Sequence, residues 1–440
     1  MSVNQHFGPL ALAPRVARSH VKALLFAAFT TLGLVTFIGV ATPYVLNANL
    51  HVPSAEQGRI SGTLVMWTEI TQLLTFSLFG AIADRIGRRQ VYALGYLILA
   101  LGYFLYPLAS STAELTVYRI VYALGVAAST CMLSTVVSDY PQERSRGRMV
   151  ALVGICNGLG VVLFAALVGK LPKLLVDRGF DPLLAGRYTM LLVAIVAVIS
   201  ALVVGLGLKP GLEVRIEQRP SVPALLRSGI RSVRNPRIAL AYASAFCARG
   251  DLVILGTFVL LWGQKAAMAT GMSAAAATER GRIPFVVAQS LALLWAGAIY
   301  FFIDRLHRVT GLALCMALAA AGYLSMYFVG DPLLVSALPL FALLGIGQIS
   351  AFFGATVLIG QEAPVAERAS VVSAFNFCGA IGILVTSQLG GWLFDHVGQS
   401  APFVMIGLLN LVVMIAAFIV RSRHPGAAVS QVDVLDHGAG

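Results

Sequence analysis

Charge is what this sequence has least of. Only 11% of its 440 residues are Asp, Glu, Lys or Arg, less than half the roughly 25% of a soluble domain, so no aqueous domain of any size fits in it. The five cysteines, Cys131, Cys156, Cys247, Cys315 and Cys378, all stand in apolar segments and form no Cys-x-x-Cys pair. That argues against disulfide and zinc frameworks, and no metal site is expected. There is no Gly-x-x-x-x-Gly-Lys-Ser/Thr loop, so the chain alone offers no nucleotide site for ATP-driven pumping. His-Glu-x-x-His and Gly-x-Ser-x-Gly are missing too.

What is present is apolarity: 58% of the residues are hydrophobic, gathered into a dozen stretches of about twenty. Each is long enough to cross the ~30 Å hydrocarbon layer as a helix, which satisfies its own backbone where lipid offers no partners. The stretches fall near residues 23–47, 60–83, 90–109, 113–138, 148–169 and 187–208, then 238–264, 281–303, 309–329, 332–360, 369–394 and 400–421. The expected fold class is an all-α membrane protein of twelve transmembrane helices in two pseudo-symmetric six-helix bundles. Its divisions are an N-tail (1–22), a first bundle (23–208), a linker (209–237), a second bundle (238–421) and a C-tail (422–440). The polar N-tail leads into span 1 without a small-residue cleavage site, which reads as a retained anchor.

The net charge of +12 would suit nucleic acid if it were clustered, but it is distributed by side. Alternate loops and the two tails hold 21 Lys and Arg, the opposite loops 8, and Arg119 and Arg249 lie inside spans. This asymmetry places both termini and the linker in the cytoplasm of an inner (plasma) membrane. No nucleic-acid partner is expected. Within the linker, Leu225, Leu226, Ile230 and Val233 with Arg227, Arg231 and Arg234 fit either an amphipathic helix on the anionic leaflet or a solvated basic connection.

Spans 3, 6, 9 and 12 are nearly free of amide and charged side chains, Asn410 being the main exception, and read as lipid-facing. Polar groups collect elsewhere: Glu69 and Gln72 in span 2, Arg119 in span 4, Asn157 in span 5, Arg249 and Asp251 in span 7, Gln348 in span 10 and Asn376 in span 11. Glu69 stands ~15 Å deep, counted at the helical rise, where a carboxyl is costly unless protonated or paired. Arg249 and Asp251 are equally deep and point about 200° apart, so they do not readily neutralise each other on one helix. Either Arg249 binds an anionic solute or partners Glu69 while Asp251 takes up a proton, or the two make structural ion pairs on opposite faces.

After span 2 the chain reads Gly80-Ala-Ile-Ala-Asp84-Arg85-Ile-Gly87-Arg88-Arg89, and Asp304-Arg305 repeats its acid-base pair 220 positions later. This resembles the signature loop between helices 2 and 3 of the major facilitator superfamily. Arg119-Ile-Val-Tyr-Ala-Leu-Gly125 is similar to that family's buried-arginine motif, with Ala123 where Gly is usual. Asp139-Tyr-Pro-Gln-Glu-Arg-Ser-Arg146 and Glu362-Ala-Pro-Val-Ala-Glu-Arg368 resemble its loops after helices 4 and 10, and Gln388-Leu-Gly-Gly-Trp-Leu-Phe-Asp395 the end of its helix 11. The resemblance implies a cytoplasmic gate of Gly80, Asp84, Arg85, Gly87, Arg88, Asp139 and Arg146, with Asp304, Arg305 and Arg368 from the second half. That second copy is degenerate, because Tyr300 and His307 replace the equivalents of Gly80 and Gly87. Span 5 also lacks the Gly-Pro pair of the family's drug/proton antiporters, which disfavours drug export without excluding it.

The resulting expectation is a monomeric, proton-coupled transporter of a small organic solute, with an anion favoured by Arg249, working by alternating access. Efflux of a drug-like compound, passive facilitation and a non-transporting receptor remain alternatives. No enzyme and no cofactor are expected, since no nucleophile and base meet near either interface.

Overall fold

The computed structural model describes residues 6–8, 10–142, 145–210, 229–303, 307–364 and 367–423. Asp304, Arg305, the linker segment with Leu225, Leu226 and Arg227, and the side chain of Arg368 lie outside the described residues. Among the described residues, twelve helices are long and apolar enough to span a bilayer: α1 (Arg18–Ala48), α2 (Gln57–Ile86), α3 (Arg88–Leu108), α4 (Thr112–Asp139), α5 (Arg146–Asp177), α6 (Pro182–Gly207), α7 (Pro236–Ala269), α8 (Ala274–Ile299), α9 (Arg308–Phe328), α10 (Val335–Glu362), α11 (Ser370–His396) and α12 (Ala401–Arg423). Local chemistry starts them. Asp181 and Asn235 each accept a hydrogen bond from the amide two residues on, at 2.8 and 3.0 Å, just ahead of Pro182 and Pro236 at the first helical position. A capping oxygen followed by a proline that has no amide to satisfy is a strong helix start.

The same neighbours recur in both halves: α1 packs on α5, α2 on α4, α3 on α4 and α6, and α7 on α11, α8 on α10, α9 on α10 and α12. These are two six-helix bundles built on one plan. They meet mainly through α2 against α11 and α5 against α8.

Helices α3 and α9 are packed more deeply than their lack of charge predicts, with 56% and 61% of their apolar windows buried against 39% for α6 and 33% for α12. In α9 the buried face is mostly small and aliphatic, from Val309 to Gly322; in the first bundle tyrosine is the reason. Tyr92 and Tyr96 share hydrogen bonds with Thr30 and Thr31 at 2.7–2.8 Å, Tyr106 bonds Thr42 at 2.9 Å, and the hydroxyls of Tyr103 and Tyr122 donate to the carbonyls of Leu34 and Val35. Each ring contributes apolar area while its hydroxyl finds an acceptor that lipid would not supply. The leucines Leu94, Leu97 and Leu101 are left on the exposed side of α3.

The loops α2–α3, α4–α5, α6–α7, α8–α9 and α10–α11 share one face, called here the basic face. On it, β1 (His6–Phe7) and β2 (Leu10–Ala11) pair antiparallel. β2 and the segment after it clasp the α4–α5 loop, with Ala11 N–H donating to Ser145 Oγ at 3.0 Å and Ala13 N–H to Tyr140 O at 2.8 Å. Composition alone marks this stretch only as a polar tail.

Gly87, between α2 and α3, has φ +101°, a backbone region costly for any residue with a Cβ. His307, its counterpart, has φ −58°, so the second turn differs in shape where the glycine is lost. Gly87→Ala is therefore expected to cost about 1–3 kcal/mol, seen as a lower unfolding temperature in detergent. Gly80→Ala is expected to be tolerated, because a Cβ there meets only Cys131 Sγ, at 3.9 Å. Equal losses in the two variants would contradict this reading of the turn.

Candidate functional site

A cleft runs between the bundles, and it is shut on the face opposite the basic one. There α2 and α11 touch backbone to backbone: a Cβ on Gly62 would lie 2.1 Å from Ser387 O, and one on Gly391 2.5 Å from Gly58 O. Helices α1 and α7 meet similarly at Gly39 and Gly256, within a π-helical turn over Ile254–Val259. Gln388 Nε2 reaches Thr63 Oγ1 and Met66 Sδ across the same seam. Toward the basic face α2 stays packed on α4, with Cys131 Sγ 3.5 Å from Phe76 O, but parts from α11. Leu74 is 73% exposed, and Leu73, Phe76 and Leu78 are exposed as well, as are Asn376 and Phe377 on α11.

Midway along this cleft stands Arg249 of α7. Its guanidinium lies 5.6 Å from the Phe352 ring centroid of α10. Its stem runs beside Gly379 of α11, where a Cβ would come within 2.7 Å of Arg249 Cγ. Glycine at 379 thus makes room for the arginine. Glu69 of α2 stands on the other bundle, near enough for the two opposite charges to interact. Among the described residues, neither Glu69 nor Arg249 has an ion-pair partner within 4.0 Å. Gln72 Nε2 points to Glu69 Oε2 at 3.4 Å, and Asn376 lies one helical turn from Gly379. The arrangement pairs a cation held on an aromatic face with a carboxyl across an opening.

The other candidate residues sit around or behind the cleft. Asn157 lies beside Gly158, which packs on Leu293 of α8, and its Oδ1 is buried without a partner among the described residues. Gln348 is buried one turn from Phe352 on the same side of α10. Arg119 is inside the first bundle, 6% exposed, with Nε donating to Thr68 Oγ1 at 2.8 Å and its guanidinium 5.0 Å from the Tyr122 centroid.

Asp251 is wholly buried in the second bundle, away from the cleft. It accepts from Asn410 Nδ2 of α12 at 2.8 Å, and its carbonyl accepts from Tyr323 of α9 at 2.6 Å. Of the two alternatives for this residue, the structural ion pair is not seen among the described residues; its partner is an amide. That also accounts for Asn410, the one polar exception in span 12.

A model of the Major Facilitator Superfamily matches residues 24–386 and, in a second alignment, 283–435. The chain belongs to the major facilitator superfamily. Among its relatives, the magnetosome protein MamH of Paramagnetospirillum magneticum (strain ATCC 700264 / AMB-1) is 29% identical over 414 residues, covering 92% of each chain. A probable inorganic phosphate transporter of Arabidopsis thaliana is 31% identical over 96 residues, only 20% of this chain and 18% of that one. The crystal structure of the nucleoside transporter NupG superposes with a TM-score of 0.70 at 15% identity, covering 91% of this chain and 98% of that one. At that identity the likeness speaks for the fold.

The superfamily's signature loop can now be placed. Arg88 at the start of α3 pairs with Asp139 at the end of α4, tying the two helix ends together. In the second bundle Arg308 and Arg237 approach Glu362 at 3.7 and 3.5 Å. The two pairs, Arg88 with Asp139 and Arg308 with Glu362, are repeats of one another even though the glycines around the second have been lost. Arg85 and Arg146 are exposed and Asp84 is half-buried. Gly80 touches no helix backbone from the other bundle, as fits a cleft that is open on this face.

Proposed function

We propose that the chain carries a small organic solute bearing an oxyanion group across the membrane by alternating access, coupled to protons, with Arg249 as the anion-binding residue and Glu69 as the proton-exchanging one. The observation that carries this reading is Arg249 itself. A guanidinium deep in an apolar span costs at least ~3 kcal/mol unless compensated, yet this one meets an aromatic face and an open cleft instead of a carboxylate. A bound anion supplies the missing charge. The part-length likeness to proteins named as phosphate transporters supports the same class of ligand. Glu69, across the opening, is placed to stay ionised opposite Arg249 when the site is empty and to take up a proton when a bound anion neutralises that arginine, so that solute and proton travel together.

In this reading the basic face lies in the cytoplasm of the plasma (inner) membrane, both termini are inside, and one chain is the working unit. Asp251 is left to a structural role with Asn410. Transport by a membrane protein of this superfamily needs no catalytic residue and no cofactor.

The test is Glu69→Gln in proteoliposomes. At one proton per solute, a gradient of one pH unit supports at most about tenfold accumulation. The variant is expected to lose that accumulation while still exchanging labelled for unlabelled solute. Accumulation equal to that of the native protein would remove Glu69 from the proton path.

A further inference from the structure

The seam on the closed face ends in a carboxylate that solute binding does not explain. Asp395, in the last turn of α11, reaches across to the other bundle and sits on the first turn of α2. Its Oδ1 accepts from Gly58 N–H at 2.9 Å and its Oδ2 from Arg59 N–H at 2.7 Å. First-turn amides have no acceptor within their own helix, and they form the positive end of the helix dipole, where an anion is favoured. The residue that precedes α2, Glu56, makes no side-chain cap. The cap comes instead from the opposite bundle.

Neighbouring groups reinforce the contact. Glycine is the one residue type that fits at position 58, since a Cβ on Gly58 would lie 2.6 Å from Asp395 Oδ1 and 2.8 Å from Gly391 O. Lys265 of α7 lies 5.4 Å from the Phe394 ring centroid and donates to Ser54 O, in the α1–α2 loop, at 3.3 Å. The contacts of Asp395 and Lys265 both cross from the second bundle to the first at the rim of the cleft, and both require the rim to be shut.

We propose that Asp395 is the latch of this gate: it caps α2 while the cleft is closed on this face and releases it when the cleft opens there. Release leaves the Gly58 and Arg59 amides and the carboxylate to water, which can solvate all three. The latch therefore biases the equilibrium without freezing it. Its strength belongs to the transport cycle and not to the solute, so it stands or falls separately from the role of Arg249.

The experiment uses the full chain in lipid vesicles with the five native cysteines replaced. One reporter cysteine is placed at Ser387, buried in the closed seam, or at Phe377, exposed toward the basic face, and labelling by a membrane-impermeant maleimide is timed without any solute. Asp395→Ala is expected to speed labelling at 387 about tenfold, a shift of about 1.4 kcal/mol, and to slow it at 377. Unchanged rates at both positions in folded protein would overturn the proposal. A carboxylate needed only to finish α11 would lower thermal stability and leave both rates alone, which also overturns it. If Asp395→Ala does not fold, Asp395→Asn decides: it keeps the size and one acceptor but loses the charge, so a smaller gain at 387 is expected, and no gain counts against the latch.

Discussion

Gly62→Ala is expected to stop transport while leaving the protein folded. The added methyl would lie 2.1 Å from the Ser387 carbonyl oxygen, a backbone atom that no side-chain rotation moves out of the way. Only separation of α2 from α11 relieves the overlap, and that separation opens the face that must close once in every cycle. Overpacking of this kind costs about 1–3 kcal/mol even where a core can adjust. Because the seam is made twice, at Gly62 and at the pair Gly58 and Gly391, turnover should fall by at least about a hundredfold, some 2.7 kcal/mol. The fold should survive, since each bundle keeps its own core and the clash lies between bundles. Solute exchange in vesicles, with maleimide access at position 387, checks both halves. Native turnover would mean that the seam opens and closes elsewhere.

The second large effect is at Arg249. Hydrogen bonds to a charged group contribute about 1.5–3 kcal/mol each, so removing a guanidinium that holds an oxyanion by two of them should weaken binding by about a hundredfold or more. Arg249→Ala is therefore expected to show no stabilisation by inorganic phosphate or by a panel of small carboxylates at concentrations that stabilise the native protein. Arg249→Lys keeps the charge but loses the planar fork, and a loss of about tenfold is expected. A structural ion pair makes different demands: Arg249→Ala would then be poorly folded, and removing Glu69 as well would restore it. Thermal unfolding of the single and double variants, with and without the anions, separates the two cases.

Much of the fold was legible in the sequence because lipid imposes so narrow a choice. A long apolar run must be a helix, and the loop charges order the helices by side. Glu69 and Arg249 were legible for the same reason, since depth alone makes an ionisable group costly. Partner choice was not. Nothing in the spacing of Arg249 and Asp251 says which faces the cleft; that depends on α9 and α12 covering one side of α7 with Tyr323 and Asn410. Phe352 reads as one more apolar residue, and only the fold reveals it as the surface on which a cation rests. Helix α3 looked lipid-facing because tyrosine counts as hydrophobic until its hydroxyl finds a threonine or a carbonyl, and α9 because a buried face of alanine, glycine and leucine reads the same as a lipid-facing one. Asp395 was visible as the end of a motif, but a carboxylate that caps a helix 336 residues away at Arg59 leaves no local mark.

The most direct test of the proposed activity is accumulation by the purified chain in proteoliposomes under an imposed pH gradient, from a mixed metabolite pool read out by mass spectrometry. The native protein should concentrate one or a few oxyanion-bearing solutes, stop when the gradient is collapsed, and lose the effect in Arg249→Ala. Accumulation that persists without the gradient, or that is undiminished in a folded Arg249→Ala, would contradict it.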